Sequence, residues 1–219
     1  MPLIAILDSG INPTHPHVPK VQAGFNATAG GVPEDWFDRA GHGTAVAGAI
    51  HSLAPEAELL AIKIFDGGLR TNLDSIERGI EWALSRGADL INLSLGTTNE
   101  AHASRLAAWV ERGAIWVSAA VSGDAPAYPG SLPGVVGVEV DPQLARFECR
   151  ALGAMRFAAS PYPREIPGVE PEHNLSGISF AVANVTGIIA RDWARLGGLE
   201  VQELARELSI RWVQRQPDR

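Results

Sequence analysis

The sequence has one cysteine, few basic residues and no long apolar run, and each shortage argues against a class of protein. Because Cys149 is the only cysteine among 219 residues, no disulfide can form within the chain, which favours a reducing compartment and a cytoplasmic location. Eighteen basic against 25 acidic residues give a net charge of −7 without a basic stripe, so no nucleic-acid partner is expected. No stretch is long or apolar enough for a membrane span or a signal peptide, so no membrane association is expected.

The bulk composition is that of one ordinary globular domain. Hydrophobic residues make up 46% of the chain and charged residues 20%, which excludes a disordered protein. The length suits a single well-buried domain, and nothing along residues 1–219 marks a boundary between two.

Short apolar runs alternate with helical periodicity along most of the chain. Near-continuous apolar strands favour a mainly parallel sheet, and their alternation with helices predicts a doubly wound α/β fold with helices on both faces. Residues 141–176 show no clear period. The predicted strands are 3–7, 59–65, 90–95, 114–120 and 134–140, and the predicted helices are 44–53, 73–86, 101–112, 179–196 and 201–212.

Three short segments carry residue types that together suggest nucleophilic catalysis. Asp8 ends a predicted strand, His42 stands between glycines at a helix start, and Ser179 begins a helix. Each has an ordinary interpretation alone: a strand-to-turn junction, an incidental loop histidine, and an N-cap that Ser176 could equally provide. Taken together, an aspartate that orients a histidine and a histidine that activates a serine form a catalytic triad. Because ligands bind at the carboxyl ends of parallel strands, residues 8, 92–96 and 118–122 are expected to share one cleft.

These segments resemble the signature motifs of the subtilisin-like serine proteases. The matching segments are Asp-Ser-Gly at 8–10, Gly-His-Gly-Thr at 41–44 and Gly-Ile-Ser-Phe-Ala at 177–181, in the family's order. The resemblance implies that Asp8 is the triad acid, His42 the base and Ser179 the nucleophile. It also implies a subtilisin-like fold.

The same resemblance implies how a peptide would bind. In the family the substrate is added as a strand between two edge segments. Residues that would line the specificity pocket are Ser94, Leu95 and Gly96, and the second edge would fall near Leu69, Arg70 and Thr71. The family's Tyr-Pro bond, here at residues 128–129, is typically cis.

The sequence departs from the family pattern at the oxyanion donor and at calcium-binding positions. The family usually has an asparagine where Ser122 stands, and a shorter side chain predicts slow turnover. No calcium-binding insertion follows the histidine, and His17 stands where a carboxylate ligand is common, so we expect no metal and no cofactor. The pair His15 and His17 could suggest a transition metal, although an exposed loop is the simpler interpretation.

The predicted function is therefore a serine endopeptidase that performs limited processing of a specific peptide or protein. A partner protein in the processing pathway is a further candidate for binding. The alternative is a weak or inactive pseudoprotease that binds peptides or serves as a scaffold, because the asparagine is missing and the pocket rim at 122–127 is short. A flavodoxin-like nucleotide-binding role has no phosphate-cradling glycine loop to support it.

Overall fold

The structure is a computed structural model that describes residues 1–18, 20–65, 67–68, 70–153, 155–196, 198–199, 203–204 and 206–208. An eight-stranded sheet forms its centre in the order β2-β3-β1-β4-β5-β8-β10-β9, and β6 pairs with β7 in a short hairpin. The strands are β1 (Leu3–Asp8), β2 (Val21–Asn26), β3 (Glu58–Lys63), β4 (Leu90–Leu93), β5 (Ile115–Ala119), β6 (Val121–Ser122), β7 (Ala125–Pro126), β8 (Val135–Val140), β9 (Cys149–Gly153) and β10 (Arg156–Ala159).

Helices cover both faces of the sheet, which confirms the predicted doubly wound α/β fold. One core lies beneath α1 and α4, and a second lies beneath α2 and α3. All strands of the large sheet pair in parallel except β9 with β10. The helices are α1 (His42–Leu53), α2 (Leu73–Ser85), α3 (Ala103–Val110), α4 (Ile178–Arg191) and α5 (Trp193–Leu196).

Five strands and one helix break differ from the sequence prediction. Strands β2, β9 and β10 were not predicted, because their sequences mix polar and apolar residues without a clean alternation. Strands β6 and β7 were not predicted, because each is only two residues long. The helix predicted over 179–196 ends at Arg191, and α5 begins after Asp192. Of the helix predicted over 201–212, residues 203–204 and 206–208 are described and helical, and the remainder lies outside the described residues.

Close packing of α1 against α4 places two helix N-termini at one end of the sheet. Gly187 of α4 lies so near α1 that an added Cβ would meet the Leu53 Cβ at 2.9 Å. The first residue of α1 is His42 and the second of α4 is Ser179. Since β1 ends at Asp8, all three predicted catalytic residues lie at the carboxyl edge of the strands. No helix in the described ranges has the length and apolar character needed to span a membrane.

Candidate active site

A short hydrogen bond joins the end of β1 and the start of α1. Asp8 is fully buried, and its Oδ1 lies 2.7 Å from Nδ1 of His42. The same oxygen accepts the backbone N–H of Ser9 at 2.7 Å. Gly43 allows this approach, because a Cβ there would meet the Gly10 carbonyl oxygen at 2.1 Å. Only glycine fits at position 43, beside the histidine. The Asp8 carboxylate orients the His42 ring so that Nε2 is free to accept a proton.

The surroundings of His42 favour its protonated form. Burial alone would lower the pKa of His42, but the hydrogen bond with Asp8 and the negative charges of Asp8 and Asp38 outweigh burial and raise the pKa. A base at this position is therefore protonated, and inactive, up to a higher pH than an ordinary histidine.

Asp38 is a buried carboxylate that was not predicted from the sequence. Its Oδ1 accepts from the Ser9 hydroxyl at 2.9 Å and from the backbone N–H groups of Ala40 and Gly41 at 2.9 and 2.8 Å. Its Oδ2 accepts from the backbone N–H and the hydroxyl of Thr44 at 2.9 and 2.6 Å. These bonds hold together the loop before His42 and the first turn of α1. The only sequence signal was an acidic residue four positions before the histidine, which is common in any loop.

Replacing Asp38 by asparagine is expected to destabilise the fold by on the order of 3 kcal/mol, because the amide nitrogen cannot accept the lost bonds. Burial alone would raise the pKa of Asp38, but the hydrogen bonds from Thr44, Gly41 and Ser9 outweigh it and lower the pKa. The pKa of Asp38 is lower in the folded chain than in the unfolded chain, where it is about 3.9. The ionised carboxylate therefore stabilises the fold above that pH, and this stabilisation is lost as the pH falls below it. The difference in unfolding free energy between wild type and variant, measured by denaturant unfolding, should therefore become smaller below about pH 3.9.

The partly exposed Asp35 provides the control for this measurement. It lies in the same loop, and its described ion pair is with Arg39 at 2.9 Å, near the surface, so Asp35→Asn should leave the unfolding free energy nearly unchanged. Equal effects of the two substitutions, or a difference for Asp38 that is independent of pH, would contradict the assigned role.

Ser179 lies at the start of α4 and faces the segment that follows β4. Its hydroxyl donates to the Ser94 carbonyl oxygen at 3.2 Å, and none of the described hydrogen bonds joins it to His42. The next residue, Phe180, has its ring centroid 5.8 Å from that of His42. Rotation about the Cα–Cβ bond of a serine moves between staggered wells and re-aims the hydroxyl without backbone movement. The structure thus brings Ser179 to the same edge of the sheet as the Asp8–His42 pair.

A buried polar chain connects Ser179 to the middle of α4. The Thr186 hydroxyl lies 2.9 Å from Oδ1 of Asn92, and Nδ2 of Asn92 donates to the Ser94 hydroxyl at 2.9 Å. That hydroxyl donates to the Ser179 carbonyl oxygen at 3.3 Å. Asn92 and Thr186 are both fully buried, so this chain fixes the backbone that carries the serine. Thr186 was not predicted as a functional residue, because one threonine within an otherwise apolar helix gives no sign of its polar partner.

Ser122 and two of the predicted pocket residues line a common pocket. Ser122 is exposed on β6, and the pocket also includes Leu95, Gly96 and Ile178, the neighbour of Ser179. Ser94 lies beneath them, with its hydroxyl in the buried chain. Ile178 connects this pocket to Ser179 only as its neighbour in sequence, and the oxyanion role of Ser122 stays a prediction.

The second peptide-binding edge also adjoins these residues. Arg70 and Thr71 share a pocket with Leu95 and Gly96, as expected for two edges that flank one groove. Leu69, assigned to the same edge, lies outside the described residues. The wall behind the groove contains the Tyr128–Pro129 bond, which is cis as expected.

The two histidines near the N-terminus form a ring contact. The ring centroids of His15 and His17 are 4.9 Å apart in an edge-to-face arrangement, and Nδ1 of His15 accepts the backbone N–H of His17 at 3.2 Å. Within the part of the chain that the structure describes, no three His, Cys, Asp or Glu side chains are grouped to hold a metal.

Comparison with known proteins decides the family. The subtilase family model matches residues 2–139, a span that contains the Asp8 and His42 segments. The chain belongs to the subtilase family. Its identification from the sequence motifs is thereby confirmed.

Individual relatives share the sequence along most of this subtilase. A thermostable alkaline protease of Halalkalibacterium halodurans is 32% identical over 214 residues, which cover 85% of this chain and 55% of the relative. The chain thus spans about half the length of that relative. A cold-adapted subtilisin-like serine proteinase has a TM-score of 0.76 at 20% identity, over 95% of this chain and 81% of its own. Sphericase has a TM-score of 0.71 at 24% identity, over 95% and 82%. Both confirm the subtilisin-like fold.

Proposed function

We propose that this subtilase is a serine endopeptidase that hydrolyses peptide bonds through an acyl-enzyme on Ser179. The observation that carries the proposal is the 2.7 Å bond between His42 Nδ1 and the buried Asp8 carboxylate, at the sheet edge where Ser179 begins α4. Membership of a family that includes proteases of similar sequence adds support.

The proposed reaction follows from these positions. The Ser179 hydroxyl oxygen attacks the peptide carbonyl carbon while its proton passes to Nε2 of His42. Asp8 stabilises the resulting imidazolium, which then gives that proton to the departing amine nitrogen. Water releases the acyl group by the same route, again with His42 as base. The oxyanion would accept hydrogen bonds from the backbone N–H of Ser179 and from the Ser122 hydroxyl.

We further propose that the enzyme processes a limited set of peptides or proteins in the cytoplasm. The short rim formed by β6 and β7, a hairpin of two-residue strands, supports a narrow substrate range. The single cysteine supports a reducing compartment.

A peptide-binding protein without turnover is the second candidate function. It is favoured by Ser122 at the oxyanion position and by the Ser179 hydroxyl, which donates to Ser94 rather than to His42. The intact set of Asp8, His42 and Ser179 favours the enzyme.

A fluorophosphonate probe distinguishes the two functions. The activated hydroxyl of Ser179 should attack the phosphorus, and peptide mass spectrometry of the digested adduct should locate the label on Ser179. A His42→Ala variant should lose labelling, because the hydroxyl then lacks a base, while circular dichroism shows it folded. Folded wild type that stays unlabelled would support the binding protein instead.

A further inference from the structure

A second pocket lies beside the candidate active site, at the carboxyl ends of β1, β2 and β3. It has a volume of about 600 Å³. Its walls come from the strand ends, from the loop after β2 and from the segment before α1. Its polar lining includes Ser9, Asn26, Asp35, Arg39 and Lys63.

Lys63 in the wall of this pocket is a buried ammonium group with few protein partners. Only 8% of the residue is exposed, and its described hydrogen bond is a long one, from Nζ to the Phe37 carbonyl oxygen at 3.4 Å. No carboxylate among the described residues forms an ion pair with it. An ammonium group has three donors, and Asp35, the carboxylate of the same pocket, interacts with Lys63 only electrostatically and without an ion-pair contact among the described residues. A buried ammonium group with unfilled donors is unfavourable. An anion in the pocket would relieve this.

The remaining polar groups of the wall also suit an anion. Oδ1 of Asn26 accepts from the backbone N–H and hydroxyl of Thr28 at 3.0 and 2.7 Å, which fixes its amide nitrogen as the outward donor. Arg39 is neutralised by Asp35, whose two oxygens lie 2.9 and 3.0 Å from Nη1. Among the described lining residues, Arg39 and Lys63 are two cations against one carboxylate, Asp35, whose pKa both of them lower. The lining therefore keeps a net positive charge, and the Asn26 amide is a second donor beside Lys63.

The pocket adjoins the proposed peptide groove. Ser9 follows the triad acid directly, and Ala40, which also lines the pocket, precedes His42 by two residues. Phe65 lines both this pocket and the groove pocket that contains Arg70 and Thr71. The shared Phe65 thus places the pocket next to the proposed peptide groove.

We propose that this pocket is a specificity subsite that binds an acidic side chain of the peptide, with Lys63 as its charge partner. The proposal rests on the proposed function for the peptide groove but not on turnover. It is tested by binding to the Ser179→Ala variant, so that its failure and the failure of catalysis are separate results.

Random octapeptides are selected on immobilised Ser179→Ala protein, and the recovered pool is sequenced. Glutamate should be enriched over glutamine. One recovered peptide is then synthesised with its glutamate changed to glutamine, and the dissociation constants of both are measured by fluorescence anisotropy. The glutamine peptide should bind about tenfold more weakly, because a charge-assisted hydrogen bond is lost. Adding Lys63→Met should bring the two constants within about twofold.

The chain has only one other lysine, Lys20, which is exposed and outside the pocket. Lys20→Met removes the same charge and should leave the preference for glutamate unchanged. If Lys63→Met fails to fold, Lys63→Gln takes its place. The proposal would be overturned if glutamate is not enriched, or if the ratio of the two dissociation constants is the same with and without the Lys63 ammonium group. A pocket that binds a free anion instead of a peptide side chain would give either of these results.

Discussion

Replacing Ser179 by alanine is expected to lower kcat for peptide hydrolysis on the order of 10⁶-fold, which is the size of the effect established for loss of the nucleophile in subtilisin itself. The reason is that no other group can form the acyl-enzyme once the hydroxyl is gone. KM should change little, because Ser179 Oγ contributes to the transition state more than to binding. A continuous assay with a fluorogenic peptide measures both constants.

Ser176 serves as the matched control for this substitution. It lies three residues before the proposed nucleophile, is exposed, and was the alternative N-cap in the sequence. Ser176→Ala should keep wild-type kcat. Adding His42→Ala to Ser179→Ala should cause no further loss, because residues that act as a unit are not additive. Substantial peptide hydrolysis by the Ser179→Ala variant would exclude Ser179 as the nucleophile.

Replacing Ser122 by asparagine is expected to raise kcat about 10²–10³-fold, the effect of this donor in the family. Ser122 is exposed on the β6–β7 hairpin, so the longer side chain has room, and its amide would reach further toward the oxyanion. The gain should be in kcat with KM nearly constant, since the donor acts on charge that develops in the transition state. Steady-state kinetics on the same fluorogenic peptide test this.

Ser122→Leu separates the donor from the size of the side chain. Leucine has nearly the shape of asparagine but no hydrogen-bond donor, so it should give no acceleration. Similar rates for the asparagine and leucine variants would show that residue 122 does not reach the oxyanion. Activity that is undetectable in the wild type and appears only with asparagine would identify the natural protein as the peptide-binding alternative.

The parts of the fold that could be predicted from the sequence are those whose signal is local. The buried strands of the sheet centre are continuous apolar runs, and α2 has an apolar face that ends before Gly87, so both follow from periodicity. The edge strands β2 and β9 are only partly buried, and their mixed sequences give no such pattern. The break at Asp192 also has no local signal.

Some residues of the candidate site could be predicted from local sequence motifs, and others could not. Asp8, His42 and Ser179 stand in short motifs, so their proximity at one sheet edge could be expected before any coordinates. Asp38 and Lys63 could not be found in this way, because their roles depend on which groups converge from separate loops. Five donors meet at Asp38, and no carboxylate among the described residues forms an ion-pair contact with the buried Lys63. Those facts are properties of the folded chain alone.

The helix that carries the proposed nucleophile in its first turn runs through the centre of the molecule. Residues 180–190 of α4 are all buried, and Thr186 ties its middle to the sheet through Asn92. The middle of α4 therefore cannot loosen unless the interior loosens with it, and we expect the position of Ser179 to depend on that helix. On heating, loss of any activity and loss of the cooperative fold should follow one curve, without a native-like but inactive species between them.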